Sequence, residues 1–351
     1  MINSRNYIAI PPGATIKEQL DNRGMTQKEF ASRMEMSQKH ISHLINGEVQ
    51  LTMDVAMRLE MVLGLPARFW SNLEATYREE LAKATAENEM DADIEIARNF
   101  PYKEMAAYGW VPDAKDKSEI VINLRKYFEV VRLELLNDSR LIPGIVYRRQ
   151  NETEKSHYAL LAWAQRAKLE ARKMHTEPID LKTLKNSLTE IRRMTLLAPE
   201  VFCSRLIALL ANCGIALVFL PHIKGSYLHG ATFYDSDKIV LGLTVRGKDA
   251  DKFWFSLFHE LGHILLGHIG KIDQADKSDE DNADSFARET LIPSDAFNKL
   301  TSFSVVTKEQ LISFAKRMGI DVGIVVGRLQ KEGYIPYGRF NEMKTQYEIR
   351  I

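Results

Sequence analysis

The segment FWFSLFHELGHILLGH, residues 253–268, sets His259 and His263 four positions apart with Glu260 beside the first. In an α-helix, residues i and i+4 lie on one face about one turn apart, so both imidazoles can reach a single ion. Glu260 is turned about 100° around the helix axis from His259, which sets its carboxylate beside the ion, where a general base must stand. Hydrolytic zinc sites keep three protein ligands and leave one position for water, whose pKa falls to about 7. A third ligand is therefore required. Glu280 in DEDNADSFARETLIP is the best placed, because it opens a second helical stretch and Asp284 follows four residues later on the same face. Glu280 then binds the ion, and Asp284 accepts the outer N–H of a ligand histidine and fixes its tautomer. Asp279 and Asp281 should point elsewhere on that helix. His268, five residues beyond His263, should rotate away from the shared face. Two imidazoles and one carboxylate form a donor set suited to Zn2+.

A second group of residues suits nucleic acid. In MTQKEFASRMEMSQKHISHLINGEV, residues 25–49, Thr26 with Glu29 makes a capping box and Ser37 caps the next helical stretch, the order of a helix-turn-helix. The second helix would enter a major groove, with Ser37, Gln38, Lys39, Ser42 and His43 on its leading or exposed side and Ile41, Leu44 and Ile45 toward a core. Gln and Lys can read base edges, and Gln27 at a helix N-terminus can meet a phosphate. Residues 1–82 hold nine Lys or Arg against ten Asp or Glu, so the whole module is not basic, whereas residues 1–45 hold six against four. The excess of positive charge therefore falls on the half that would face DNA.

The elements that must position these residues follow from pattern and length. A chain of 351 residues exceeds one ordinary domain, so two or three units are expected. We assign residues 1–82 to the helix-turn-helix, 83–205 to a helical middle region without assigned chemistry, and 206–351 to the metal domain with a helical C-terminal extension. GIALVFLPHI and HGATFYDSDKIVLGLTV are apolar and β-branched around turn residues and read as strands of a small sheet. Residues 251–268 and 279–291 read as helices. The fold class is thus α+β and mostly helical. An extended substrate would add to a sheet edge, for which Ile239 to Thr244 is the expected strand, and Tyr234, Tyr227 or His229 could stabilise an oxyanion. No apolar run is long enough to span a bilayer, and the N-terminus lacks the regions of a signal peptide, so the expected location is cytoplasmic. Equal numbers of acidic and basic residues, 47 each, name no partner. Cys203 and Cys213 lie in an apolar stretch and read as buried thiols rather than ligands or a disulfide.

Residues 214–342 resemble the ImmA/IrrE family of zinc-dependent endopeptidase domains, through the strand segment, WFSLFHELGHILLGH, ADSFARETLIP and IVVGRLQKEGYIPYGRFNEMK. The resemblance implies a gluzincin-like, zincin-fold arrangement with His259, His263 and Glu280 on zinc and Glu260 as base, and cleavage of a regulatory protein. One departure is Asn282, where many relatives carry a second Glu before the Ala. PPGATIKEQLDNRGMTQKEFA and LGLPARFWSNLEATYREE resemble the Xre-type, lambda-repressor-like helix-turn-helix of HigA-like antitoxins. Together these imply a cytoplasmic regulator that binds double-stranded operator DNA as a homodimer, acts on a protein substrate or cognate toxin, and has no membrane partner. The alternative expectation is a non-catalytic antitoxin or repressor whose peptidase-like domain senses a signal or binds a toxin.

Overall fold

The computed structural model describes residue 4 and residues 6–138, 154–224, 226, 229–245, 248–269, 277–303 and 306–348. Contacts divide the chain into two compact units, Met1–Glu95 and Ile96–Ile351. The boundaries expected at 82/83 and 205/206 fall inside helices instead, within Ala67–Ala97 and Pro199–Ala211.

In the first unit five helices follow one another: α1 (Gly13–Asn22), α2 (Gln27–Arg33), α3 (Gln38–Ile45), α4 (Met53–Leu63) and α5 (Ala67–Ala97). Side-chain oxygens at the starts accept backbone N–H groups that would otherwise lack partners: Thr26 from Glu29, Ser37 from His40 and Thr52 from Val55. At α2 this cap is one-sided. The Glu29 carboxylate turns to Arg33, four residues on, at 2.7 Å, so the expected capping box is replaced by an ion pair. Ile16, Leu20, Phe30, Ile41, Leu44, Leu59 and Trp70 close the core between the helices. The α2–α3 turn passes through Glu35 at φ +53°, a conformation that L-residues seldom adopt. Arg58 on α4 steadies it by donating to the Met34 carbonyl at 3.0 Å and to the Glu35 carboxylate at 3.4 Å.

The second unit starts with α6 (Tyr102–Ala107), α7 (Lys117–Phe128), α8 (Glu154–Arg172), α9 (Leu181–Arg193) and α10 (Pro199–Ala211). A three-stranded sheet follows, in the order β1 (Ile215–Phe219), β3 (Lys238–Leu243), β2 (Gly230–Asp235). β1 runs parallel to β3, and β2 pairs antiparallel with it through a tight turn at Ser236 and Asp237. The strand expected at the edge is therefore the central one. β2, its hairpin partner, takes the outer position, because the crossover from β1 lets β3 insert between them.

Alternation along the strands divides the faces. Gly242 faces α8, where a Cβ would come within 2.5 Å of the Trp163 ring, and the Trp163 indole donates to the Pro221 carbonyl at 3.1 Å. Arg172 on α8 pairs with Asp235 at the end of β2 at 3.1 Å. The middle region thus forms one cover of the sheet. The other cover is α11 (Ala250–Leu265), which buries Phe253, Trp254, Leu257, Phe258, Leu261 and Ile264, each worth about 1.5–3 kcal/mol relative to exposure. α12 (Lys277–Leu291) lies across α11, and α13 (Ser294–Thr301), α14 (Lys308–Met318) and α15 (Val322–Lys331) complete the unit. Gly262 permits the close crossing of α11 and α12: a Cβ there would stand 3.0 Å from the Phe286 ring and 3.3 Å from the Ala283 Cα. The two cysteines are free thiols, Cys213 buried and Cys203 half-buried.

Candidate functional site

The crossing of α11 and α12 brings His259, His263 and Glu280 together, with one donor atom from each within 4.8 Å of the others. The two Nε2 atoms are 3.0 Å apart, and Glu280 places Oε2 3.4 Å from His259 Nε2 and Oε1 3.5 Å from His263 Nε2. Ligands about 2.0–2.1 Å from a tetrahedral ion stand about 3.3 Å from one another, so the spacing and the N, N, O donor set fit zinc. Both imidazoles are nearly buried, while Glu280 is about half exposed. Asp284 stands where α12 periodicity puts it, with Oδ1 2.8 Å from His259 Nδ1. Burial pushes the His259 imidazole down, but Asp284, Glu280 and Glu260 outweigh it and lift its pKa to about 9. Burial, reinforced by the neighbouring His259 and His268, depresses His263. The hydrogen bond with His259 holds the Asp284 carboxyl below the usual range.

Glu260, 4% exposed, sits off the three-residue cluster, as its 100° offset requires. The Thr232 hydroxyl donates to its Oε2 at 2.5 Å, joining β2 to α11. A cavity of about 1010 Å³ opens along His259 and Glu260 and is walled by His229, Phe255, Arg288 and Lys331 among others. Of the three residues considered for an oxyanion, His229 lines this cavity, Tyr234 is exposed on β2, and Tyr227 lies outside the described residues.

Three residues hold places that spacing along one helix does not give. Thr232 lies in a strand whose register with the helix is a tertiary fact. His268 returns to the site because α11 stops: Gly267 takes φ +71°, and the His268 N–H closes onto the His263 carbonyl at 3.0 Å. Rotation away from the shared face holds only for a helix that continues to residue 268. His268 Nδ1 is 3.0 Å from His263 Nδ1, and its Nε2 is 3.3 Å from Asp279 Oδ1. Asp279 thus turns to His268 rather than to the cluster, and Asp281 is exposed.

In the first unit Gln27, Ser37, Gln38, Lys39 and Ser42 are exposed at the start of α2 and along α3. The Ser37 hydroxyl oxygen accepts the His40 N–H at 3.1 Å, so it holds the helix start. His43 is half-buried and its ring engages Glu48. The structure thus keeps Gln38, Lys39 and Ser42 on the outer face and draws the His43 ring into a local contact with Glu48.

Comparison with known proteins places both halves. The helix-turn-helix family matches residues 16–70, and the family described as IrrE N-terminal-like domain matches residues 214–330. An uncharacterized HTH-type transcriptional regulator of Escherichia coli (strain K12), YddM, is 33% identical over 89 residues, covering 25% of this chain and 88% of that protein. The chain belongs to the helix-turn-helix transcriptional regulators. In this regulator the DNA-binding module is joined to an IrrE/ImmA-like domain, and the His259, His263 and Glu280 cluster lies within that match. Among the described residues no helix is long and apolar enough to cross a membrane.

Proposed function

We propose that this chain is a transcriptional regulator of the HigA-like antitoxin type whose second unit is a zinc-dependent endopeptidase acting on a regulatory protein or cognate toxin. The observation that carries the reading is a buried carboxylate, Glu260, fixed by Thr232 beside three converging donors at zinc spacing. His259, His263 and Glu280 would hold the ion, and Asp284 fixes the tautomer of His259. Zinc, when bound, supplies a Lewis acid and an acidified water. With Oε2 engaged by Thr232, Glu260 has Oε1 to accept a proton from the attacking water and return it to the leaving amine. The outer edge of β2 offers main-chain groups to an extended substrate, and His229 in the cavity wall is the candidate donor to the developing oxyanion. In the first unit α3 enters the major groove with Gln38, Lys39 and Ser42 toward the bases, while Gln27 meets a phosphate. Binding is as a homodimer on half-sites about one helical turn apart. A non-catalytic domain would not need a buried, oriented Glu260 next to an incomplete ligand set.

Two measurements test this. Elemental analysis of the purified chain should find about one zinc per subunit. A search for new protein N-termini in cells expressing the wild type should reveal cleavage products that are missing with Glu260→Gln. Identical N-termini in both strains would refute the peptidase reading.

A further inference from the structure

We propose that His268 and Asp279 form an outer pair that positions His263, so that the site rests on two separate supports, one for each imidazole. The inference rests on the zinc reading above. His259 is held directly by a carboxylate, Asp284, at 2.8 Å. His263 has an imidazole at its outer nitrogen instead, His268 at 3.0 Å, with the carboxylate of Asp279 one step further at 3.3 Å. Both outer residues are buried, at 9% and 7% exposure, and burial of a polar pair requires that its hydrogen bonds be made.

Counting hydrogens shows what the pair does. For His263 to offer the Nε2 lone pair to an ion, its hydrogen must sit on Nδ1. That N–H points at His268 Nδ1, which must therefore accept. His268 then carries its hydrogen on Nε2, facing Asp279 Oδ1, which accepts in turn. With both imidazoles neutral and Asp279 as a carboxylate, a single placement of hydrogens satisfies all three groups, and in it the His263 Nε2 lone pair faces the other ligands. The pair also acts mechanically. His268 stands just past the end of α11 and Asp279 in the first turn of α12, next to Glu280, so their contact ties the end of one ligand-bearing helix to the start of the other. Gly267 makes this possible by ending α11 and folding His268 back.

The test uses the full-length chain, with zinc affinity measured by competition against a chromophoric chelator. His268→Leu should bind zinc about 10–100-fold more weakly, the usual cost of losing an outer partner. His268→Gln can accept from His263 through its carbonyl and donate to Asp279 through its amide, and should return to within about threefold of wild type. The visible spectrum of the Co2+-loaded protein should shift in His268→Leu and resemble wild type in His268→Gln. Melting of the metal-free proteins checks folding. Should His268→Leu not fold, Asp279→Asn, which keeps volume and removes charge, carries the same test with an expected loss of about tenfold. If the wild type binds zinc and His268→Leu binds it within about twofold as well, the positioning role is wrong. Equal losses in His268→Leu and His268→Gln also overturn it, since packing rather than hydrogen bonding would then be responsible. A wild type that takes up no zinc overturns the metal reading itself, and the pair with it.

Discussion

Asp284→Asn gives a prediction with two opposing parts. The substitution preserves shape but removes the charge 2.8 Å from His259 Nδ1. Loss of an outer partner of this kind should weaken zinc binding about 10–100-fold when the imidazole is already neutral. In the wild type, however, zinc must displace a proton from His259, whose pKa stands at about 9. At pH 6.5 that competition lowers wild-type affinity by about 300-fold, at pH 7.5 by about 30-fold, and near pH 9 hardly at all. In the variant, burial still lowers the His259 pKa and only Glu280 and Glu260 raise it, so it moves back toward the ordinary imidazole range and proton competition shrinks. The affinity gap should therefore be widest near pH 9 and should close or reverse toward pH 6.5. Chelator competition at half-unit steps between these limits measures it. A gap that stays constant with pH would refute the reasoning. The sign for metal-free stability is the same. A raised His259 pKa stabilises the fold below about pH 6.5, and that contribution disappears as the pH rises through about 9. Urea denaturation of chelated wild type and Asp284→Asn should differ more at pH 6.5 than above pH 9.

Glu280→Ala should strip most of the zinc, measured by elemental analysis, whereas Asp281→Ala should keep it; the reverse pattern would show that the third ligand is misassigned. Thr232→Val removes the hydroxyl on Glu260 at nearly constant volume, so cleavage should slow about tenfold while zinc content is unchanged. Unaltered cleavage would remove Thr232 from the site. Lys39→Ala combined with Gln38→Ala should weaken operator binding and reduce preference over random DNA, because each lost base-edge contact costs about 1–3 kcal/mol. If a gel-shift titration finds wild-type preference in the double variant, α3 does not read the operator through these residues.

How much of this was legible in the sequence follows from which contacts are local. His259, Glu260 and His263 share one helix, so the 3.6-residue period alone fixed their relation, and the same period placed Glu280 and Asp284 on one face of α12. That the two helices cross closely enough depends on Gly262, whose meaning appears only once Ala283 and Phe286 are opposite it. His268 escaped the argument because one left-handed residue, Gly267, ends the helix and reverses the chain. The strand segments were readable from β-branched runs, but their order was not: pairing is non-local, and β3 came to lie between β1 and β2. Thr232 became meaningful only through that order. The middle region carries no motif, and its role as a cover for the sheet rests on single long-range contacts such as Trp163 against Gly242. In the first unit the caps at Thr26 and Ser37 were written in the sequence. The turn of Glu29 to Arg33, and of His43 to Glu48, depends on side-chain rotamers that the caps do not set.

The most direct test of the central claim is a cleavage time course for a protein identified from the new N-termini, comparing wild type, Glu260→Gln and a chelated sample, with purified components. Glu260→Gln keeps size and hydrogen bonding and removes the base, so zinc should remain bound and operator binding should persist. The cleavage rate should fall about a hundredfold to ten-thousandfold, and the chelated sample should be as slow until zinc is returned. Disappearance of the protein at one rate in all three samples would contradict the account and leave the second unit as a binding or sensing surface.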